Sequence, residues 1–313
     1  AWLHDKLGVE PEAPEPELIE PEPESMKGVD LDHPPGLVGE LADAFDACAL
    51  YRQRGWSVVA ALLTVSALSD NLYLVGRDQT PLNLYSLLLG DSGSGKEWYR
   101  KAAGNALVAA GRQKVSVADF ASGQALLKHL SRQPNCLLNM DEMAHTVASM
   151  EGRDNHYGLA LEKELLSLFS AASSSYEGKC YSDEKRNIDA IPFPFLQIVG
   201  ASTPEMFWSL MKRRHVGGGL LGRFLVVPEG TGERNQERQS ELPPELVQRL
   251  RQMTGAPPWL RDALVGGATS DYKLLRRAGK VFAMLPLSSE AQAVYWVAHD
   301  EFRTLSKLEN GAI

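Results

Sequence analysis

Residues 90–97 are Gly90, Asp91, Ser92, Gly93, Ser94, Gly95, Lys96 and Glu97, directly after the apolar run LNLYSLLL at 82–89. The spacing GxxxxGK at the end of a buried-strand pattern is that of a loop that cradles phosphates. Glycines let the backbone curl until successive N–H groups face one centre. Lys96 brings a cation to the β- and γ-phosphates, and the helix-like WYRKAAGNALVAAG that follows offers its positive end. Glu97 stands where Ser or Thr commonly meets Mg²⁺. A carboxylate there either binds the metal directly or repels the phosphates. The plainer alternative is a glycine-rich turn before a helix. Strand before and helix after favour a nucleotide site, with ATP and Mg²⁺ as the expected ligands.

A second group of chemistry-bearing residues closes the apolar run Cys136-Leu-Leu-Asn-Met, which ends in Asp141 and Glu142. Asp141 would hold Mg²⁺ or its water, and Glu142 would orient and deprotonate an attacking water. The competing reading is an Asp that caps the next helix. A third run, FLQIVGA at 195–201, ends in Ser202 and Thr203. A hydroxyl at this tip can sense a γ-phosphate or the lytic water. Thr203 before Pro204 is also an ordinary helix start, so Ser202 sensing and Thr203 capping are compatible. Arg223 stands at the start of the last strand-like run, RFLVVP; in ring ATPases an arginine at this place faces the neighbouring subunit's nucleotide. There it would stabilise charge developing on the transferred phosphoryl group. Arg213 and Arg214 are alternatives for that role, and an ion pair inside the subunit is the plain alternative for Arg223.

These residues need a frame. Five strand candidates, 83–90, 113–119, 136–141, 195–201 and 223–228, alternate with helical stretches at 96–111, 122–132, 158–173 and 204–214. The alternation predicts an α/β fold with a central, mainly parallel five-stranded sheet and helices on both faces. Ligands in such sheets bind beyond the carboxyl ends of the strands. Residues 36–76 have apolar spacing of helical period, so an N-terminal helical region is expected before a core at 77–230. Residues 231–313 are expected to be a helical extension, with patterns at 244–254 and 288–309 and an end at GAI that reads as a truncation. Between the acids and the hydroxyl strand, 173–194 reads as a β-hairpin with a polar tip, DEKRN. Lys179, Lys185 and Arg186 on it are candidates for contact with a DNA backbone; a merely solvated tip is the alternative.

Charge is uneven along the 313 residues. Residues 1–35 hold ten acidic and two basic side chains and seven of the eighteen prolines, which makes them an acidic linker or tail without a core. The remainder has thirty of each sign, so the overall charge of −8 does not oppose nucleic-acid binding by the body. Cys48, Cys136 and Cys180 lack CxxC spacing, which suits a reduced, cytoplasmic setting and argues against a thiolate metal site. No apolar stretch is long enough to predict a membrane span.

Taken together, these motifs resemble the P-loop ATPase module found beside primase and helicase domains in phage and mobile-element replication proteins, of AAA+ and superfamily 3 type. The resemblance rests on PPGLVGELADAF (34–45), GRDQTPLNLYSLLLGDSGSGKE (76–97), FASGQALLKHL (120–130), LLNMDEM (137–143), LQIVGASTPEMFWSL (196–210) and GGLLGRFL (218–225). It spans roughly residues 34–313, and an acid after the loop lysine is common in such sequences. It implies a P-loop NTPase fold of AAA+/RecA-like type, ATP hydrolysis, a ring of subunits (a hexamer), single-stranded or forked DNA as substrate, and a primase or other replication protein as partner. Two other classes stay open. One is an ATP-dependent loader acting on a protein through the acidic tail. The other is a nucleotide-binding scaffold that does not hydrolyse.

Overall fold

The computed structural model describes residues 30–76, 78–120, 122–149, 156–210, 219–230, 232–254, 274–277, 280–288 and 291–292. Within them, helix α1 (Gly36–Cys48), strand β1 (Tyr51–Arg52) and helix α2 (Arg54–Leu68) precede β2 (Tyr73–Val75) and β3 (Thr80–Pro81). The core then alternates: β4 (Tyr85–Leu89), α3 (Lys96–Ala109), β5 (Ser116–Val117), α4 (Gly123–Leu130) and β6 (Asn135–Met140). Helices α5 (Met143–Ser149) and α6 (His156–Ala171) lead to the hairpin β7 (Ser175–Tyr176) and β8 (Ile191–Pro192). Strand β9 (Phe195–Ser202), α7 (Pro204–Leu210) and β10 (Phe224–Pro228) complete the core. Beyond it lie β11 (Glu233–Arg234), α8 (Pro244–Gln252), β12 (Leu274–Arg277) and β13 (Lys280–Leu285).

Every neighbouring pair in the five-stranded sheet β10-β4-β9-β6-β5 is parallel. Strands β4, β6 and β9 are buried along their whole length, because helices cover both faces. Side chains alternate between two cores. Leu88, Leu137 and Val199 face α1, α2 and α3, packing with Phe45, Trp56, Leu63, Tyr99 and Leu107. Tyr85, Leu87, Leu138 and Ile198 face the other side, packing with Leu126, Val147, Leu168 and Phe207 from α4 to α7. This is the two-residue period of a strand read against the 3.6-residue period of its helices.

Connectivity fixes where a ligand can sit. From β4 the chain crosses through α3 to the far edge strand β5. From β9 it crosses the opposite way, over β4, through α7 to β10. The crossovers part between β4 and β9, so the crevice beyond their carboxyl ends is the switch point of the sheet. The loop 90–95 and the Ser202–Thr203 tip both lie there.

Two expectations for the flanks need correcting. The region 36–76 is helical only to Leu68 and ends in β2, and the extension after 230 contains strands as well as α8. Strand β13 runs parallel to β2 in a second sheet, β12-β13-β2-β3. Strand β2 has only three residues, and the pairing joins distant parts of the chain, which local periodicity does not report. The helix expected at 288–309 lies almost entirely outside the described residues, as do Arg213 and Arg214. Among the described residues no helix is long and apolar enough to cross a membrane.

Candidate active site

The loop between β4 and α3 is shaped by its glycines. Gly93 and Gly95 have φ of 81° and 91°, a left-handed conformation that costs a side chain about 1–2 kcal/mol. Gly90 meets a different constraint: a Cβ there would stand 2.3 Å from the ring of fully buried Trp56. Trp56 is itself pinned, donating its indole N–H to Val227 O at 2.9 Å. Gln53 ties the loop to its surroundings, donating to Ser94 O at 3.4 Å and Gly230 O at 2.8 Å. Lys96 opens α3, and its ammonium folds back to donate to Asp91 O at 3.2 Å. Asp91 and Ser92 are exposed at the rim of the loop.

Beside this loop, Gly90 N–H donates to Ser202 O at 3.2 Å, so the β9 tip abuts the loop. Ser202 is fully buried, and its hydroxyl has no hydrogen-bond partner among the described residues. The same holds for the nearly buried Ser94 hydroxyl. Both hydroxyl oxygens are enclosed beside the crevice, with almost no surface open to it. Thr203 caps α7, accepting from Met206 N at 3.3 Å, so the helix-start reading holds for that residue.

Asp141 at the β6 tip reaches the loop helix through a residue that the sequence did not advertise. Arg100, 7% exposed at its side chain, donates to Glu97 Oε2 at 2.5 Å and to Asp141 Oδ2 at 3.2 Å. It also donates to Asn139 Oδ1 at 2.5 Å, and Asn139 returns a bond to Arg100 O at 3.0 Å. One guanidinium therefore gathers both carboxylates assigned to Mg²⁺. Burial works to raise the Glu97 pKa, but hydrogen bonds from Lys101 and Arg100 outweigh it and hold the carboxyl below its ordinary value. Glu97 and Asp141 remain half or more exposed, at 52% and 64%. Two converging, water-accessible carboxylates fit Mg²⁺, which keeps most of its waters and takes one or two protein oxygens. Glu142 is exposed beside them with φ of 44°, an uncommon conformation for a non-glycine residue. The only sequence signal for Arg100 was its place on the buried face of α3, beside Tyr99 and Ala103.

The remaining candidates stand apart from this crevice. Arg223 lies at the amino end of β10, opposite the loop, and turns into its own chain. It donates to Gly219 O at 2.8 Å and lies 5.8 Å over the Phe169 ring. The hairpin is present but shorter than expected, with its ladder continued by a bridge between Lys179 and Ile188. Lys179 does not project from it. Its ammonium pairs with Glu164, 2% exposed at its side chain, which also accepts from Tyr176 Oη. The buried Glu164 carboxylate thus holds Lys179 as its counter-ion, an internal role beside which the DNA-contact expectation for Lys179 stands untested. Lys185 and Arg186 are exposed at the tip, where Arg186 O accepts from Gln124 Nε2 at 3.0 Å. All three cysteines are unpaired, and burial pushes the Cys136 thiol up to about 12, which makes it chemically inert.

No protein-family model matches the chain, and no curated protein sequence matches it.

Proposed function

We propose that the chain is a P-loop NTPase that binds ATP at Gly90–Glu97 and hydrolyses it, and that turnover drives movement on DNA within a ring of identical subunits. The observation that carries this reading is the crevice itself. A glycine-shaped loop sits at the switch point of a parallel sheet, and Asp141 at the β6 tip is tied to Glu97 beside it through Arg100. Loop N–H groups, Lys96 and the start of α3 would hold the phosphates. Glu97 and Asp141 would hold Mg²⁺, which when bound neutralises charge on the phosphoryl oxygens. Glu142, exposed at the β6 tip, would accept a proton from water, and the Ser202 hydroxyl, enclosed in this structure, would sense the terminal phosphate once uncovered. Arg223 acts in trans in this reading, and it must release Gly219 to do so. DNA contact falls to Lys185 and Arg186, with primase-type proteins as partners and a cytoplasmic setting.

One observation favours a second reading, an ATP-dependent loader that moves nothing along DNA. The hairpin is fastened to its own chain at Glu164 and Gln124 rather than standing free. The test is the ATPase rate with Mg²⁺, with and without single-stranded DNA, for the natural chain and Glu142→Gln. Stimulation by DNA that the variant abolishes supports the motor. Hydrolysis indifferent to DNA selects the loader, and ATP bound without turnover in either protein removes hydrolysis from the proposal.

A further inference from the structure

Glu97 follows the loop lysine directly and brings a negative charge into the first turn of α3. A carboxylate suits a helix start by itself, but it repels phosphates gathered at the same place. The geometry shows how that charge is handled. Both Glu97 oxygens are taken by cations from the next turn of the helix. Arg100, three residues on, donates to Oε2 through Nε at 3.0 Å and Nη2 at 2.5 Å. Lys101, four residues on, pairs with Oε1. Residues at these spacings share one helix face, so the carboxylate is tied to the second turn of α3 instead of swinging over the loop.

The two cations are unequal. The Lys101 and Glu97 side chains are 54% and 52% exposed, so water and salt screen their pairing. The Arg100 side chain is 7% exposed and fixed at every nitrogen. Its Nη1 donates to Asn139 Oδ1 at 2.5 Å, and Nη2 reaches Asp141 Oδ2 at 3.2 Å. Asn139, nearly buried on β6, donates back to Arg100 O at 3.0 Å. The guanidinium therefore spans from helix to sheet and cannot follow Glu97; Glu97 comes to it.

We propose that Arg100 is a positioning residue for nucleotide binding: it fixes the Glu97 carboxylate and cancels its charge, so that a loop with an acid after its lysine accepts a triphosphate. This rests on the reading of 90–97 as a phosphate loop. The effect needs no metal, so it is measured without one, by equilibrium dialysis of labelled ATP in EDTA. The proteins are the natural chain, Glu97→Ser, Arg100→Met and the double variant. Glu97→Ser should change ATP affinity less than about threefold in the natural background, because the carboxylate there is already neutralised. Arg100→Met frees that charge and should weaken binding about tenfold, the effect of one partly screened charge, and adding Glu97→Ser should restore that factor. Arg100→Met also strands Asn139, but this structural loss is the same with either residue at 97, so the comparison isolates the charge. Arg100→Lys keeps a cation without the fork and should fall between the natural chain and Arg100→Met. If Arg100→Met does not fold, Glu97→Ser in the Arg100→Lys background gives the same comparison. The proposal is overturned if Glu97→Ser has the same effect whether or not Arg100 is present, or if Arg100→Met binds ATP as tightly as its parent. Failure of the loop reading looks different: no ATP bound by the natural chain, or ATP bound equally by Lys96→Ala, removes the site and this inference with it.

Discussion

Replacing Lys179 by Met separates a structural cation from a DNA-binding one. The Glu164 side chain is 2% exposed, and its two oxygens have one donor each, Tyr176 Oη on Oε2 and Lys179 Nζ on Oε1. Met keeps most of the aliphatic stem, so packing loss is small and the missing charge dominates. Removing one partner of a buried pair costs about 3–5 kcal/mol, because the other charge is stranded. Lys179 is 28% exposed, so water can reach part of the vacated space, and the lower end, about 3 kcal/mol, is expected. At about 2–4 °C per kcal/mol for a domain of this size, the midpoint should fall by about 6–12 °C. Adding Glu164→Gln removes the stranded charge and should recover most of the loss, giving a double-mutant coupling of about 2 kcal/mol. Urea denaturation and thermal scans of the two singles and the double measure this. Lys185→Ala and Arg186→Ala, at exposed tip positions, should stay within about 0.5 kcal/mol of the natural chain. A Lys179→Met protein as stable as its parent refutes the reasoning, and one that also lost DNA binding would return Lys179 to the hairpin's working surface.

Four further expectations follow from the same geometry. Gly90→Ala drives a methyl into Trp56 and should cost about 1–3 kcal/mol in denaturation, with weakened ATP binding in dialysis. Arg100→Met strands the Asn139 amide oxygen and should lose about 1–3 kcal/mol, whereas Lys101→Met, which breaks an exposed pair with Glu97, should lose less than about 1 kcal/mol. Glu97 has a depressed pKa when folded, so its contribution is present above the unfolded value and fades as pH falls through the folded one. The stability gap between the natural chain and Glu97→Gln should therefore close in acid, below the ordinary carboxylate range, when denaturation midpoints are compared across pH. Mixing Arg223→Ala with natural subunits should depress ATPase activity beyond the mole fraction added; strictly proportional loss argues against action in trans.

The core was legible because its signals are local. LNLYSLLLG before GDSGSGKE is strand, turn and helix start within one window, and the five strand candidates all correspond to β4, β5, β6, β9 and β10. The acids at 141–142 were legible for the same reason, standing at the end of an apolar run. Arg100 was not. In KEWYRK it looks like one more charge on a helix surface, and only the sheet order brings Asn139 and Asp141 to it. Glu164 was hidden similarly. In LEKELLSLF an acid reads as solvent-facing, and its burial depends on a hairpin that arrives later in the chain. The pairing of β2 with β13 was invisible, because a three-residue strand carries no periodicity of its own.

That pairing has a consequence for synthesis. Tyr73 lies against Ala283, so 210 residues separate the partners (283 − 73). At a translation rate of about 5–20 residues per second, β2 emerges about 10–40 s before its parallel neighbour exists. Strand β3 covers one edge of β2 almost at once, but the other edge waits. The parallel core closes earlier, when β10 docks on β4. Nascent chains stalled between these two points should hold a finished parallel core together with an open strand edge, the kind of surface that captures a chaperone or a second nascent chain.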